Sequence, residues 1–218
     1  MTNTPASPTV AVLDYLGSET TTSLVSALVN AGADAFATTD PDKAVQASGL
    51  VLPGGASFAD AAAAIKRIKG DRIVGQRLAG GRALLAVGTG MHVLFDDAVT
   101  GSRTTPGLGE WPGQVVEAAF EAGKYPVVAA DGSKLLAGIV GDVFFDAPQA
   151  VKSFPLAEDD FIAYPKLSWA DINGERILAA VENGPLWAMA FDPAMSGEVG
   201  VSVLGNWVQQ LQPEVSHA

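Results

Sequence analysis

The chain has 218 residues, 48% of them apolar and 17% charged, with a formal net charge of −11. That balance describes one well-buried globular domain, and its acidity argues against nucleic acid or an anionic membrane surface as partner. With no cysteine and only His92 and His217, thiol catalysis and thiolate metal sites are excluded and no cofactor is expected.

In chain order, Met1 to Pro8 is polar without a basic stretch, which predicts a disordered tail over 1–8 and no signal peptide. No apolar run approaches the roughly 18–20 residues of a membrane span, and the lack of cysteine fits a cytoplasmic protein without disulfides. Thr9-Val10-Ala11-Val12-Leu13 reads as a buried strand running to Asp14-Tyr15 and a Gly17-Ser18 turn. Thr20 to Ala31 carries Leu24, Ala27, Leu28 and Ala31 at helical spacing and stops at Gly32. A strand at Ala35 to Thr38, a short helix at Pro41 to Ala47 and a strand at Leu50 to Leu52 follow, the last closed by Pro53-Gly54-Gly55-Ala56-Ser57. Helices at Phe58 to Lys69 and Ile73 to Ala79 precede a strand at Ala83 to Val87. This alternation implies parallel pairing with helices on both faces.

After about Thr100 the pattern turns to short β-like runs: Val115 to Ala119, Val127-Val128, Val143 to Phe145, Ala150 to Phe154, Phe161 to Tyr164, Leu167 to Ala170, Arg176 to Val181 and Leu186 to Phe191. Asn173-Gly174 and Asn183-Gly184 are predicted hairpin turns, since both residues tolerate positive φ. Leu186 to Phe191 should rejoin the main sheet, with Gly197 to Gln210 as the closing helix. One domain is expected over 9–211, with a tail over 212–218.

The stretch from Arg82 to His92 runs from a buried apolar strand into a glycine-flanked turn and then a helix. That is the outline of a nucleophile elbow, where a strained turn presents a Ser or Cys. The central residue here is Gly88, which carries no nucleophile.

Several further stretches join it: Val12 to Tyr15, Gly49 to Gly54, Gly70 to Ile73, Gly109-Glu110-Trp111-Pro112-Gly113, Val181 to Ala188, Ser196-Gly197 and Gly205 to Val208. Together they resemble the class I glutamine amidotransferases, and more narrowly the HisH family, the glutaminase subunit of imidazole glycerol phosphate synthase. The resemblance spans residues 9–208. It implies a doubly wound, mostly parallel α/β sheet of flavodoxin-like form with a small antiparallel β excursion. The family's chemistry uses a Cys nucleophile, a His base and a Glu that orients the base; the matching positions are Gly88, Asp192 and Ala194. The Gln after the elbow is His92, a His-Ser-Tyr near the pocket falls on Ala147-Pro148-Gln149, and the segment around Tyr125 to Ala130 has no good counterpart. Gly54, Gly55 and Thr89 are remnants of the loops that supply oxyanion-hole amides, or a plain turn.

The resemblance thus implies a catalytically inactive HisH-like pseudo-glutaminase in histidine biosynthesis, a scaffold or regulatory subunit paired with the cyclase subunit. Trp111 is a candidate anchor of that interface as an exposed-loop aromatic, or else a core residue bracing a turn. The alternatives are a divergent hydrolase or transferase using Thr89 or Asp192, with Ser57 as another hydroxyl and His92 as base, or a small-molecule-binding relic of the fold. His92, one turn beyond residue 88, is expected to point along its helix. Asp14 caps a turn or meets a ligand, and Asp192 near Asp96 and Asp97 is a weak cation candidate.

Overall fold

A computed structural model describes residues 6–17, 19–146, 149–155 and 164–211. Strand β1 (Thr9–Leu13) is buried on both faces, with Val10 and Val12 in one apolar cluster and Ala11 and Leu13 in the other, as a central parallel strand requires. Helix α1 (Glu19–Asn30) buries Leu24, Ala27 and Leu28, the predicted stripe, and the chain turns at Gly32 with φ 97°. Strand β2 (Asp34–Thr38) leads to α2 (Pro41–Gln46). There Asp40 accepts from the amides of Asp42 and Lys43, and Pro41 needs no donor partner in the first turn. Strand β3 (Gly49–Leu52), helices α3 (Phe58–Arg67) and α4 (Gly70–Ala79), strand β4 (Leu84–Val87) and the four-residue α5 (Thr89–His92) complete the first half.

The second half holds β5 (Phe95–Thr100), β6 (Arg103–Pro106), β7 (Trp111–Glu117), β8 (Gly123–Tyr125), β9 (Val143–Phe145) and β10 (Gln149–Val151). Then follow β11 (Lys166–Ile172), β12 (Glu175–Asn183), β13 (Leu186–Met189) and the closing helix α6 (Glu198–Val208). The main sheet has seven strands in the order β11-β12-β13-β4-β3-β1-β2. β13, β4, β3, β1 and β2 run parallel, while β11 and β12 join as an antiparallel hairpin. Apolar residues of α1 and α6 cover one face and those of α2, α3 and α4 the other. This is the expected doubly wound α/β architecture. A four-stranded sheet, β10-β7-β5-β6, and the β8–β9 pair form the excursion.

Several expectations need correcting. β5 and β6 were unforeseen: Asp96-Asp97 interrupts the first with residues that disfavour strands, and Asp96 is absorbed by accepting from the Gly113 amide at 3.1 Å. Val127-Val128 forms no strand; Val128 makes an isolated bridge to Trp169. The run expected over Ala150 to Phe154 is strand only through Val151. Tyr164 precedes β11 outside any strand, and the rest of the Phe161 to Tyr164 run lies outside the described residues. Asn173 and Gly174 adopt φ 54° and 79° as predicted. The second hairpin turns one residue later, because Asn183 still pairs with Leu186 and Gly184-Pro185 form the loop, with φ 54° at Gly184. Residues 1–5 and 212–218, Ser18, Ala147, Pro148 and His217 lie outside the described residues. Among those described, no helix is long and apolar enough to cross a membrane.

Candidate active site

The carboxyl ends of β3 and β4 meet at two glycine loops, the edge where doubly wound sheets carry their sites. Gly88, between β4 and α5, has φ 55° and ψ −125°, a strained combination for any residue with a side chain. Its surroundings impose that shape. A Cβ at Gly90 would sit 2.4 Å from the Leu52 carbonyl oxygen, and one at Gly54 would sit 3.0 Å from that of Val87 and 3.1 Å from the Thr89 amide nitrogen. Backbone therefore packs on backbone between the two loops, and the Tyr15 hydroxyl donates to the Pro53 carbonyl to hold the first of them. Burial raises the Tyr15 pKa, so the phenol stays a donor at all ordinary pH. A Cβ at Gly88 itself would find only the Gly54 Cα, at 3.7 Å. The elbow is formed and the space above it is open.

Gly54, Gly55, Gly88, Thr89, His92 and Asp192 line one small cavity of about 20 Å³, together with Asp146. That volume suits about one water molecule and lies far below the roughly 300–1,000 Å³ of ordinary small-molecule sites. The Asp192 carboxylate is committed locally: Oδ1 accepts from the amides of Ala194 at 2.7 Å and Met195 at 3.2 Å. Burial raises the Asp192 pKa, opposed by those two bonds, with Asp146 adding to the rise. Ala194 offers only a methyl group, packed on the core. The Thr89 hydroxyl donates to the Ala56 carbonyl at 2.9 Å. Ser57 caps α3, accepting from the Asp60 amide and donating to its carboxylate. Asp14 accepts from the Gly17 amide and the Thr21 hydroxyl, which makes it a turn cap.

His92 differs from expectation. It does not run along its helix but lines the cavity, because residues i and i+4 share a helix face, which puts it on the side of Gly88. It is 2% exposed, and neither ring nitrogen has a hydrogen-bond partner. No hydroxyl–imidazole pair is therefore assembled with Thr89 or Ser57. The carboxylate that acts on Asp192 is Asp146, which the sequence reading missed, rather than Asp96 or Asp97. Among the described residues no group of three or more His, Cys, Asp or Glu is placed to hold a metal ion.

Burial lowers the His92 pKa to about 4. The unfolded chain, with its histidine near the ordinary value of about 6.5, then takes up a proton that the folded state refuses. Stability is complete above about pH 6.5 and falls as pH drops toward 4, by about 3 kcal/mol from this residue alone. The raised pKa of Asp192 acts in the opposite sense, so the test is a difference. The gap in urea unfolding free energy between the natural chain and His92→Met should shift by about 3 kcal/mol between pH 7.5 and 4. A constant gap would contradict a neutral, buried imidazole.

Trp111 is corrected outright as an exposed-loop aromatic. It begins β7, is 3% exposed, and packs edge-to-face against Phe95 and Phe154 at ring distances of 5.5 and 5.9 Å. The core reading is the one its burial carries.

Known proteins give the family. The subunit HisH of imidazole glycerol phosphate synthase from Nocardia farcinica is 44% identical over 210 residues, covering 93% of this chain and 98% of the relative. The chain belongs to the HisH family. HisH subunits from Corynebacterium efficiens and Thermobifida fusca are each 38% identical, covering 93% and 94% of this chain and 99% of each relative. No protein-family model matches. Among solved structures, PurLQS from Thermotoga maritima superposes with a TM-score of 0.69 over 94% of this chain and all of its own, and a glutamine amidotransferase with 0.63 over 90% and 98%. Both are 17% identical to this HisH-family chain and bear on the fold alone, which is that of the glutamine amidotransferases.

Proposed function

We propose that this HisH-family chain is a pseudo-glutaminase, a cytoplasmic single-domain subunit over 9–211 that pairs with the cyclase of imidazole glycerol phosphate synthase without hydrolysing glutamine. The observation that carries the reading is Gly88 at φ 55° and ψ −125°, an elbow with nothing on it. Amide hydrolysis through a covalent intermediate needs a nucleophile, a base within hydrogen-bond reach and a group that orients the base. At the corresponding positions stand a hydrogen atom at Gly88, a carboxylate at Asp192 already bonded to two amides, and a methyl group at Ala194. The residual cavity of about 20 Å³ has no room for an amino acid. The relatives' printed role as synthase subunits supports the cyclase as partner, and the exposed residues Glu110 and Pro112 flanking Trp111 are the surface we assign to it.

The test is ammonia release from glutamine by the purified chain, alone and with the cyclase subunit of the same organism. No release above the uncatalysed rate is expected, while the two proteins co-elute with the roughly 1,600 Å² interface of a standard complex. A glutaminase rate within about tenfold of an intact relative would overturn the reading. Gly88→Cys supplies a second check. The variant has space for its Cβ but should unfold about 1–3 kcal/mol more easily, since a non-glycine residue must bear the elbow's backbone strain. It should stay inactive, because a thiol without a base is only slightly ionised at neutral pH. Turnover by the single variant would show that a base had been overlooked.

A further inference from the structure

A second cavity, of about 660 Å³, opens at the opposite edge of the main sheet. Its wall includes Ser48, Ala83 and Pro185, the residues just before the parallel strands β3, β4 and β13, so it lies a full strand length from the elbow. Its volume falls within the roughly 300–1,000 Å³ of small-molecule sites. Trp187 supplies an indole whose Nε1 donates to the Gly184 carbonyl at 3.0 Å, which sets the plane of the ring. Arg82 stands on the same wall with one end anchored, its Nη2 donating to the Gln46 carbonyl at 2.6 Å. A guanidinium has five N–H donors, so this bond leaves most of its donors for a ligand.

Behind the wall lies Arg77, 0% exposed. It donates to the carbonyls of Ala44, Val45 and Ala47, and to those of Ser48 and Ala83 on the cavity wall at 3.2 and 2.6 Å. Its Nε has no partner, and the ion pair found among the described residues is Lys152–Glu175, elsewhere in the molecule. Carbonyl dipoles satisfy its two terminal nitrogens, while among the described residues no carboxylate pairs with its charge, and a charge in a low-dielectric interior acts over a longer reach than one in water. In a chain of net charge −11, two guanidiniums at one cavity are a local reversal of sign.

We propose that this cavity binds a planar aromatic molecule carrying an anionic group, the ring lying on Trp187 and the anion on Arg82. Indole faces accept flat π-systems, and a guanidinium fork matches carboxylate and phosphate oxygens in pairs. The field of Arg77 reinforces the anion without touching it. The site owes nothing to the elbow and stands whether or not glutamine is hydrolysed.

The test titrates the full chain with adenosine monophosphate and with indole-3-carboxylate, each beside its uncharged parent, adenosine or indole. Binding is followed by calorimetry and tryptophan fluorescence. At least one anion is expected to saturate and to bind about tenfold or more tightly than its parent, a difference of about 1.4 kcal/mol. Arg82→Gln should erase that preference, while Arg72→Gln, the same charge change on an exposed residue outside the cavity, should leave it unchanged. Trp187→Leu, checked for folding by circular dichroism, should weaken binding and reduce the fluorescence response. Saturation by one anion alone, with preference over its own uncharged parent, supports the site. No binding of either anion at millimolar concentration, equal binding of anion and parent, or indifference to Arg82→Gln would overturn it.

Discussion

Replacing Trp111 with alanine is expected to destabilise the fold by about 3–5 kcal/mol, the range for an aromatic removed from a packed core. At this chain length that lowers the melting temperature by roughly 10 °C. The ring is 3% exposed and touches Phe95 and Phe154, which also contact each other at 5.7 Å. Truncation thus breaks two edges of a three-ring cluster and leaves a hole under the four-stranded sheet. Trp111→Phe, which keeps an aromatic ring in that cluster, should recover much of the loss. Urea denaturation of the three proteins measures it directly. A melting temperature unchanged in Trp111→Ala would contradict the packing and return the residue to a surface role.

The second large effect is expected at Arg77. Five carbonyl oxygens converge on its two terminal nitrogens. Four of them belong to the end of α2 and the residues after it, so the guanidinium closes that helix against the start of β4. Burial, with help from Arg82, lowers its pKa to about 10, which still leaves it charged at neutral pH. Arg77→Met strands those carbonyls and should cost about 3–5 kcal/mol, the scale for breaking a buried charged network. Arg77→Lys keeps the charge but has three donors on a single nitrogen instead of a fork, so it should fall between the two. Thermal or urea unfolding ranks the three. Equal stability of lysine and methionine variants would mean that the charge adds nothing and only the fork geometry counts.

What the amino-acid order disclosed followed its periodicities. The parallel strands and α1 emerged within one or two residues, β13 ending at Met189 rather than Phe191, because buried strands read as continuous apolar runs and α1 as a stripe at i, i+3 and i+4. Gly88 at an elbow was legible from the glycines around it, and the resemblance named the family that the relatives support. β5 was not legible, since Asp96-Asp97 reads as a loop until the Gly113 amide accounts for one carboxylate. Trp111 could not be placed because its partners, Phe95 and Phe154, stand 16 residues before it and 43 after it. His92 was misdirected for want of one inference the spacing did allow, that i+4 returns to the side of residue 88. Arg77 passed unnoticed because an arginine in a helix usually faces water, and only the convergence of distant carbonyls marks it as interior.

The elbow at Gly88 keeps its awkward shape although a glycine asks for none. Neighbours enforce it: the tight backbone contacts at Gly54 and Gly90 and the Tyr15 hydroxyl on Pro53. On the pseudo-glutaminase reading, position 88 is one where folding and chemistry are inherited separately. Exchanging a nucleophile for glycine there relaxes the chain and so passes any filter that senses only whether the protein folds. The return step must bear the strain again before a second and third group make it useful. Such a site works as a ratchet, easy to leave and steep to re-enter, and its glycine would persist in descendants long after the circumstances that first permitted it.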